Sequence, residues 1–299
     1  MRTRIVIGLL LVLTLAVLLW LDLTLPGFFL CIAAMAVTAA ALHELFAMVA
    51  KVGLQPFRLT GIGFGIALLP YYMWSEVLEG LLGPRALAAF IIAPLLALIL
   101  ALMARAYTRP EGFGPQLKNI AVTLFGVLYI AVPMAFLVLT RFLTEQQRGK
   151  EGWDLVMLVL AVTKASDVGA YFTGSLIGRH KLAPRVSPNK TVEGSAGGIG
   201  ASTLVAVIMV HSLNIGTLLN LDHALFATIS FGIIIGVASQ VGDLTESFIK
   251  RSAGAKDSGN LLPSFGGVLD LIDSFLVAAP VAYFVLAIFA KVTAQAGVQ

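Results

Sequence analysis

Asp243, Glu246, Ser247 and Lys250 stand at i, i+3, i+4 and i+7. In a helix that spacing sets two carboxylates, a hydroxyl and an ammonium along one face. Asp270 and Asp273 repeat the i, i+3 interval, and Lys164 with Asp167 adds a third charged pair. Carboxylates gathered this way repel one another unless a cation joins them. All-oxygen ligands suit Mg²⁺, above all when the ion also holds the phosphates of a substrate. The same residues read equally well as structural ion pairs with Lys164, Lys250, Arg251 and Lys256.

What gives these charges weight is their setting. The 299 residues are 59% apolar and 12% charged, with a mean hydropathy of +0.94, against roughly 25% charged in soluble domains. No water-soluble core hides so much apolar surface. A charged side chain inside a membrane helix costs at least ~2.5 kcal/mol on insertion scales, so intramembrane ionisable groups are functional candidates. The first half of the chain is poor in them: Glu44, beside His43, and Glu76 read there as helix-end residues reaching the interface.

The elements that must position these groups are long apolar runs near 5–21, 27–50, 61–81, 86–104, 119–140, 154–177, 195–213, 223–248 and 268–290. A bilayer core of ~30 Å needs about 20 residues per helix. The expectation is therefore an all-α, polytopic integral membrane protein of about nine transmembrane helices. It forms one membrane domain over 1–299, with apolar spans in 1–150 and the catalytic spans and loops in 151–299. Leu25-Pro26-Gly27, Gly83-Pro84, Arg109-Pro110-Glu111-Gly112 and Leu182-Ala183-Pro184 mark the expected breaks. The charged start at Arg2 and Arg4 reads as an uncleaved first span, because its apolar run is long and no small-residue cleavage site follows.

Counting Lys and Arg in alternate loops gives fourteen on the side of the N-terminus and five opposite, with Lys164 inside a span. Positive loops stay in the cytoplasm, which places the N-terminus there and the C-terminus outside. The net charge of +4 is spread over short loops rather than one patch, which fits topology and anionic lipid and argues against a nucleic-acid partner. Cys31 is the single cysteine, so neither an intrachain disulfide nor a cysteine zinc cluster is available.

Two ordered motif blocks narrow the chemistry. The first runs Gly242-Asp243-Leu244-Thr245-Glu246-Ser247-Phe248-Ile249-Lys250-Arg251, then Lys256-Asp257-Ser258-Gly259, Leu262-Pro263, Gly266-Gly267, Asp270 and Asp273. The second runs Asp167-Val168-Gly169-Ala170-Tyr171-Phe172-Thr173-Gly174, then Gly178, Lys181-Leu182, Pro184 and Ser187-Pro188-Asn189-Lys190-Thr191-Val192-Glu193-Gly194. Together they closely resemble the phosphatidate cytidylyltransferase family, over about 164–280. Two positions depart from its pattern: Phe265 stands where the family has histidine and Leu271 where it has arginine. Neither departure removes a carboxylate.

The resemblance implies that the phosphate of phosphatidic acid attacks the α-phosphorus of CTP in a membrane lipid bilayer, giving CDP-diacylglycerol and pyrophosphate. It implies Mg²⁺ at Asp243 and Asp270 first, then Asp167, Asp273 and Glu246, with room for a second cation. Asp243, Asp270, Asp167 and Lys250 form the implied catalytic set, and Lys190, Thr191, Glu193, Arg251, Lys256, Asp257 and Ser258 the substrate-binding set. A cell-membrane location with cytoplasmic active-site loops follows from the charge count, since CTP is cytoplasmic; a homodimer is left open. The glycines Gly194, Gly197, Gly198, Gly266 and Gly267 serve either close backbone approach to substrate or helix packing, and Tyr171 and Phe172 read as packing residues.

A proton- or ion-coupled transporter would also use buried carboxylates, but would carry charges in both halves. Here they concentrate in one. The compact motif of CDP-alcohol phosphotransferases is not found.

Overall fold

In the computed structural model, residues 24–108, 112–143, 151–213, 224–259 and 266–296 are described, with 14, 17, 20–22 and 215. Helices dominate: α1 (Phe28–Ala50), α2 (Arg58–Tyr107), α3 (Phe113–Gly126), a π-helical turn (Val127–Ala131), α4 (Val132–Thr140), α5 (Glu151–Ile177), α6 (Val192–Ser212), α7 (Ala224–Ser252), α8 (Val268–Ile272) and α9 (Phe275–Ala296). An antiparallel hairpin of β1 (Lys181–Ala183) and β2 (Ser187–Thr191) separates α5 from α6, with Lys181 opposite Thr191 and Ala183 opposite Ser187.

Among the described residues six helical segments are long and apolar enough to cross a membrane: Phe28–Ala50, Gly114–Thr140, Gly152–Ile177, Val192–Ser212, Leu225–Ser252 and Val268–Ala290. Each falls on a run expected from the sequence, so the chain is an all-α, multi-pass membrane protein. The tally differs from nine in two places. Most of the first expected span, 5–21, lies outside the described residues. The spans expected at 61–81 and 86–104 fall on the single 50-residue helix α2, which runs through Gly83-Pro84. A proline inside an apolar helix need not end it, because neighbouring groups can satisfy the one carbonyl it frees.

The chain divides into two compact units, one of Met1–Leu139 with Ser252–Leu271, the other of Thr140–Arg251 with Ile272–Gln299. In the first, buried Asp22 accepts the N–H groups of Gly27 (2.9 Å), Phe29 (3.1 Å) and Leu30 (3.1 Å) and so caps α1. Asn119 Oδ1 and Thr123 Oγ1 on α3 accept the N–H groups of Gln55 and Phe57, fastening the loop before α2. In the second unit α5 and α6 cross closely through small residues. A β-carbon on Gly194 would stand 2.8 Å from the carbonyl oxygen of Ala170, and one on Gly198 2.7 Å from that of Ser166. Gly197 faces Thr173 just as tightly. Helix packing therefore accounts for Gly194, Gly197 and Gly198.

Candidate active site

The hairpin and the cytidylyltransferase-like motif on α7 meet at a cavity of about 520 Å³ in the second unit, lined by Asp167, Tyr171, Asn189, Lys190, Thr191, Ser195, Gln240 and Asp243 among others. Lys190 arrives from β2 and Asp243 from α7, and their charged ends lie 2.6 Å apart. Both side chains are about a quarter to a third exposed and line the cavity.

Behind it Asp167 is held by three donors. Lys164 Nζ (3.0 Å) and Ser274 Oγ (3.0 Å) reach Oδ2, and Ser239 Oγ reaches Oδ1 at 3.2 Å. Lys164 also donates to Ser274 Oγ and sits 4.6 Å from the centre of the Phe275 ring. Asp273 is buried, accepts the Ser274 N–H at 2.5 Å, and lies within electrostatic reach of Asp243, Asp167 and Lys164. Gly242 makes this proximity possible, because a β-carbon there would stand 2.5 Å from the carbonyl oxygen of Asp273.

Other expected residues have local partners. Thr191 Oγ1 accepts the Gly194 N–H and caps α6. Glu193 accepts the N–H groups of Arg179 (3.0 Å) and His180 (3.1 Å) and meets His180 Nδ1 at 2.5 Å, tying the start of the hairpin to α6. Arg251 Nε donates to the carbonyl of Val186 at 3.4 Å. Glu246, wholly buried, forms an i, i+4 ion pair of 2.5 Å with Lys250, the structural alternative that the spacing allowed. Tyr171 lines the cavity and is exposed, as is Phe172.

Asp270 belongs to the first unit. Its Oδ2 accepts the N–H of Gly267 (2.7 Å), the N–H of Ser258 (3.1 Å) and the Ser258 hydroxyl (2.9 Å). Ser258 is buried, whereas Lys256 and Asp257 are exposed on the loop before it. Leu271 follows Asp270 on α8, and Phe265 lies outside the described residues.

The polar residues that the sequence reading passed over are Ser239, Gln240 and Ser274, uncharged groups inside apolar runs. Gln240 Nε2 donates to the Ser195 carbonyl at 2.9 Å, and the Ser195 hydroxyl donates back to its Oε1. Their position four and three residues before Asp243 and one after Asp273 was the signal. Glu44, taken for an interfacial residue, is instead 3% exposed within the first unit.

Mg²⁺ suits this donor set by its chemistry, since carboxylate oxygens are its usual protein ligands. Among the described residues no three His, Cys, Asp or Glu side chains converge as metal ligands.

A polytopic α-helical membrane protein in which two spans and a hairpin bring Asp167, Asp243 and Lys190 to one cavity fits the class of membrane-embedded transferases. The sequence profile of the cytidylyltransferase family matches residues 2–289, and the chain belongs to that family. It is 38% identical over 160 residues to the phosphatidate cytidylyltransferase of Staphylococcus saprophyticus, covering 54% of this chain and 56% of the relative. With that of Bacillus subtilis it shares 42% identity over 150 residues, 50% and 53% of the two chains. These matches span about half the length of each relative. A longer match, 30% identical over 261 residues, covers 85% of this chain and 88% of the Staphylococcus aureus (strain COL) protein of the same name. The transporter reading of the carboxylates finds no support among these relatives.

Proposed function

We propose that this chain is a nucleotidyltransferase that moves CMP from CTP to phosphatidic acid for phospholipid synthesis. A phosphatidate oxygen forms a bond to the α-phosphorus of CTP, the bond from that phosphorus to the bridging oxygen breaks, and pyrophosphate leaves. The observation that supports this most is the Lys190–Asp243 pair at the wall of the cavity, within a family of cytidylyltransferases.

Charge accumulates on the α-phosphate and on the leaving pyrophosphate, so catalysis rests on placed cations and on position. Lys190 supplies an ammonium that an incoming phosphate can draw from Asp243. The hairpin holds that lysine by backbone pairing, and Glu193 anchors the hairpin. Asp243 in the second unit and Asp270 in the first are each, by their motif, first candidates for a Mg²⁺ ligand, with Asp167 and Asp273 as reserves beside Asp243; a bound ion would neutralise phosphate charge. Asp167 is oriented by Lys164, Ser239 and Ser274. Phosphatidate needs no base to attack, because a phosphate monoester is already largely ionised near neutral pH. Detergent-solubilised protein should release pyrophosphate only when Mg²⁺, CTP and phosphatidic acid are all present; equal release without the lipid contradicts the reaction.

The positive charges of the stretches Lys181 to Glu193 and Lys250 to Ser264 support a cell-membrane protein in which both face the cytoplasm. In a Cys31→Ser background, cysteines placed at exposed Lys181 and Lys256 should be blocked only by reagents that enter the cytoplasm, and one at Ser212 by reagents outside. Labelling from the wrong side at any of the three refutes this orientation.

A further inference from the structure

The geometry assigns Glu44 a positioning role in the reaction proposed above: it holds the turn that carries Asp270. Glu44 sits on α1, more than 200 residues away along the chain, and is 3% exposed. Its Oε1 accepts the N–H of Val268 at 2.9 Å and its Oε2 that of Leu269 at 2.9 Å. The same Oε2 lies 3.1 Å from the hydroxyl of Ser258, which is 2.9 Å from Asp270 Oδ2.

The first N–H groups of a helix have no partner within it. At α8 those of Gly267, Val268 and Leu269 go in turn to Asp270, Glu44 and Glu44. Two carboxylates thus divide the N-terminal end of one short helix, and the single proton of the Ser258 hydroxyl lies between them. A buried carboxylate is retained only where it is well bonded, and this one has two backbone donors and a hydroxyl.

The glycines explain how it fits. A β-carbon on Gly259 would stand 2.6 Å from Glu44 Oε1, and one on Gly267 would collide with both Glu44 Oε2 and Ser258 Oγ. Gly266, at φ 92°, occupies the left-handed region and brings its backbone under Asp270. The paired glycines of the motif therefore admit carboxylates of this chain, and the carboxylate of Glu44 fixes the backbone from which Asp270 projects.

The test uses Glu44→Gln, which keeps the volume but turns an NH₂ group toward a backbone N–H. Hydrogen exchange of the intact protein in detergent, read over residues 258–272, should become faster in the variant while the α5–α6 region stays protected. With CTP and phosphatidate, kcat should fall about a hundredfold, the loss typical of a reacting group misplaced by about an ångström, with KM for both substrates within about threefold. In an Asp270→Asn background the same substitution should add no further loss, because Glu44 acts through Asp270. Unchanged exchange, or an active wild type whose kcat survives Glu44→Gln, overturns the role. So does a further full loss in the double variant. An inactive wild type refutes the reaction instead, and the exchange measurement still decides whether Glu44 holds the turn.

Discussion

Asp243→Asn should leave a folded protein whose turnover falls by about a thousandfold or more, the loss of about 4 kcal/mol of transition-state stabilisation. The substitution hardly changes volume. It removes the charge from the partner of Lys190 but keeps an amide oxygen that can still accept from the ammonium. The apparent melting temperature should therefore barely move while kcat collapses. Asp270→Asn should also cut turnover sharply, to a residual rate that can still be measured, but with a different signature. The carboxylate there accepts from Gly267 and Ser258, and an amide placed among those donors turns an NH₂ toward one of them. That variant should lose local protection around α8 as well as activity. Active Asp243→Asn protein with a lowered melting temperature would mean that the carboxylate is only a salt-bridge partner.

Lys250→Met should unfold the protein more readily rather than slow its chemistry. Glu246 is wholly buried, and removing the ammonium 2.5 Å away breaks a buried ion pair, a change that typically costs ~3–5 kcal/mol. Methionine preserves the apolar stem, so the effect isolates the charge. Pairing it with Glu246→Leu should restore most of the stability, since replacing both partners of a buried pair by apolar groups is often neutral. Thermal inactivation half-lives of the three variants in one detergent check this. A Lys250→Met protein of unchanged half-life and much reduced kcat would return Lys250 to the catalytic set.

These two variants mark where the sequence could be read and where it could not. The spans at 27–50, 119–140, 154–177, 195–213, 223–248 and 268–290 were legible because a bilayer demands apolar runs of fixed length. The ion pair of Glu246 and Lys250 was legible too, from its i, i+4 spacing. Local spacing does not distinguish such a pair from a ligand set, and its burial is a property of the packed helix that spacing does not reveal. Glu44 was opaque for a related reason. Its partners are Val268, Leu269 and Ser258, and no periodicity connects α1 to a turn so distant in the chain. Gly83-Pro84 looked like a loop because both residues weaken helices in water, a preference that an apolar environment relaxes in α2. The cavity was half legible: Asp167, Lys190 and Asp243 stood out by charge, whereas Gln240, and the Ser239 and Ser274 that hold Asp167, did not.

Transfer of the α-phosphate bears most directly on the proposed reaction. Purified protein in mixed micelles with Mg²⁺, phosphatidic acid and CTP labelled at the α-phosphate should move the label into a chloroform-extractable lipid, in step with pyrophosphate release. With CTP labelled at the γ-phosphate instead, the label should stay in the aqueous pyrophosphate. Label that never enters the lipid under conditions where the protein is folded, or that enters it from the γ-position, would contradict the assignment.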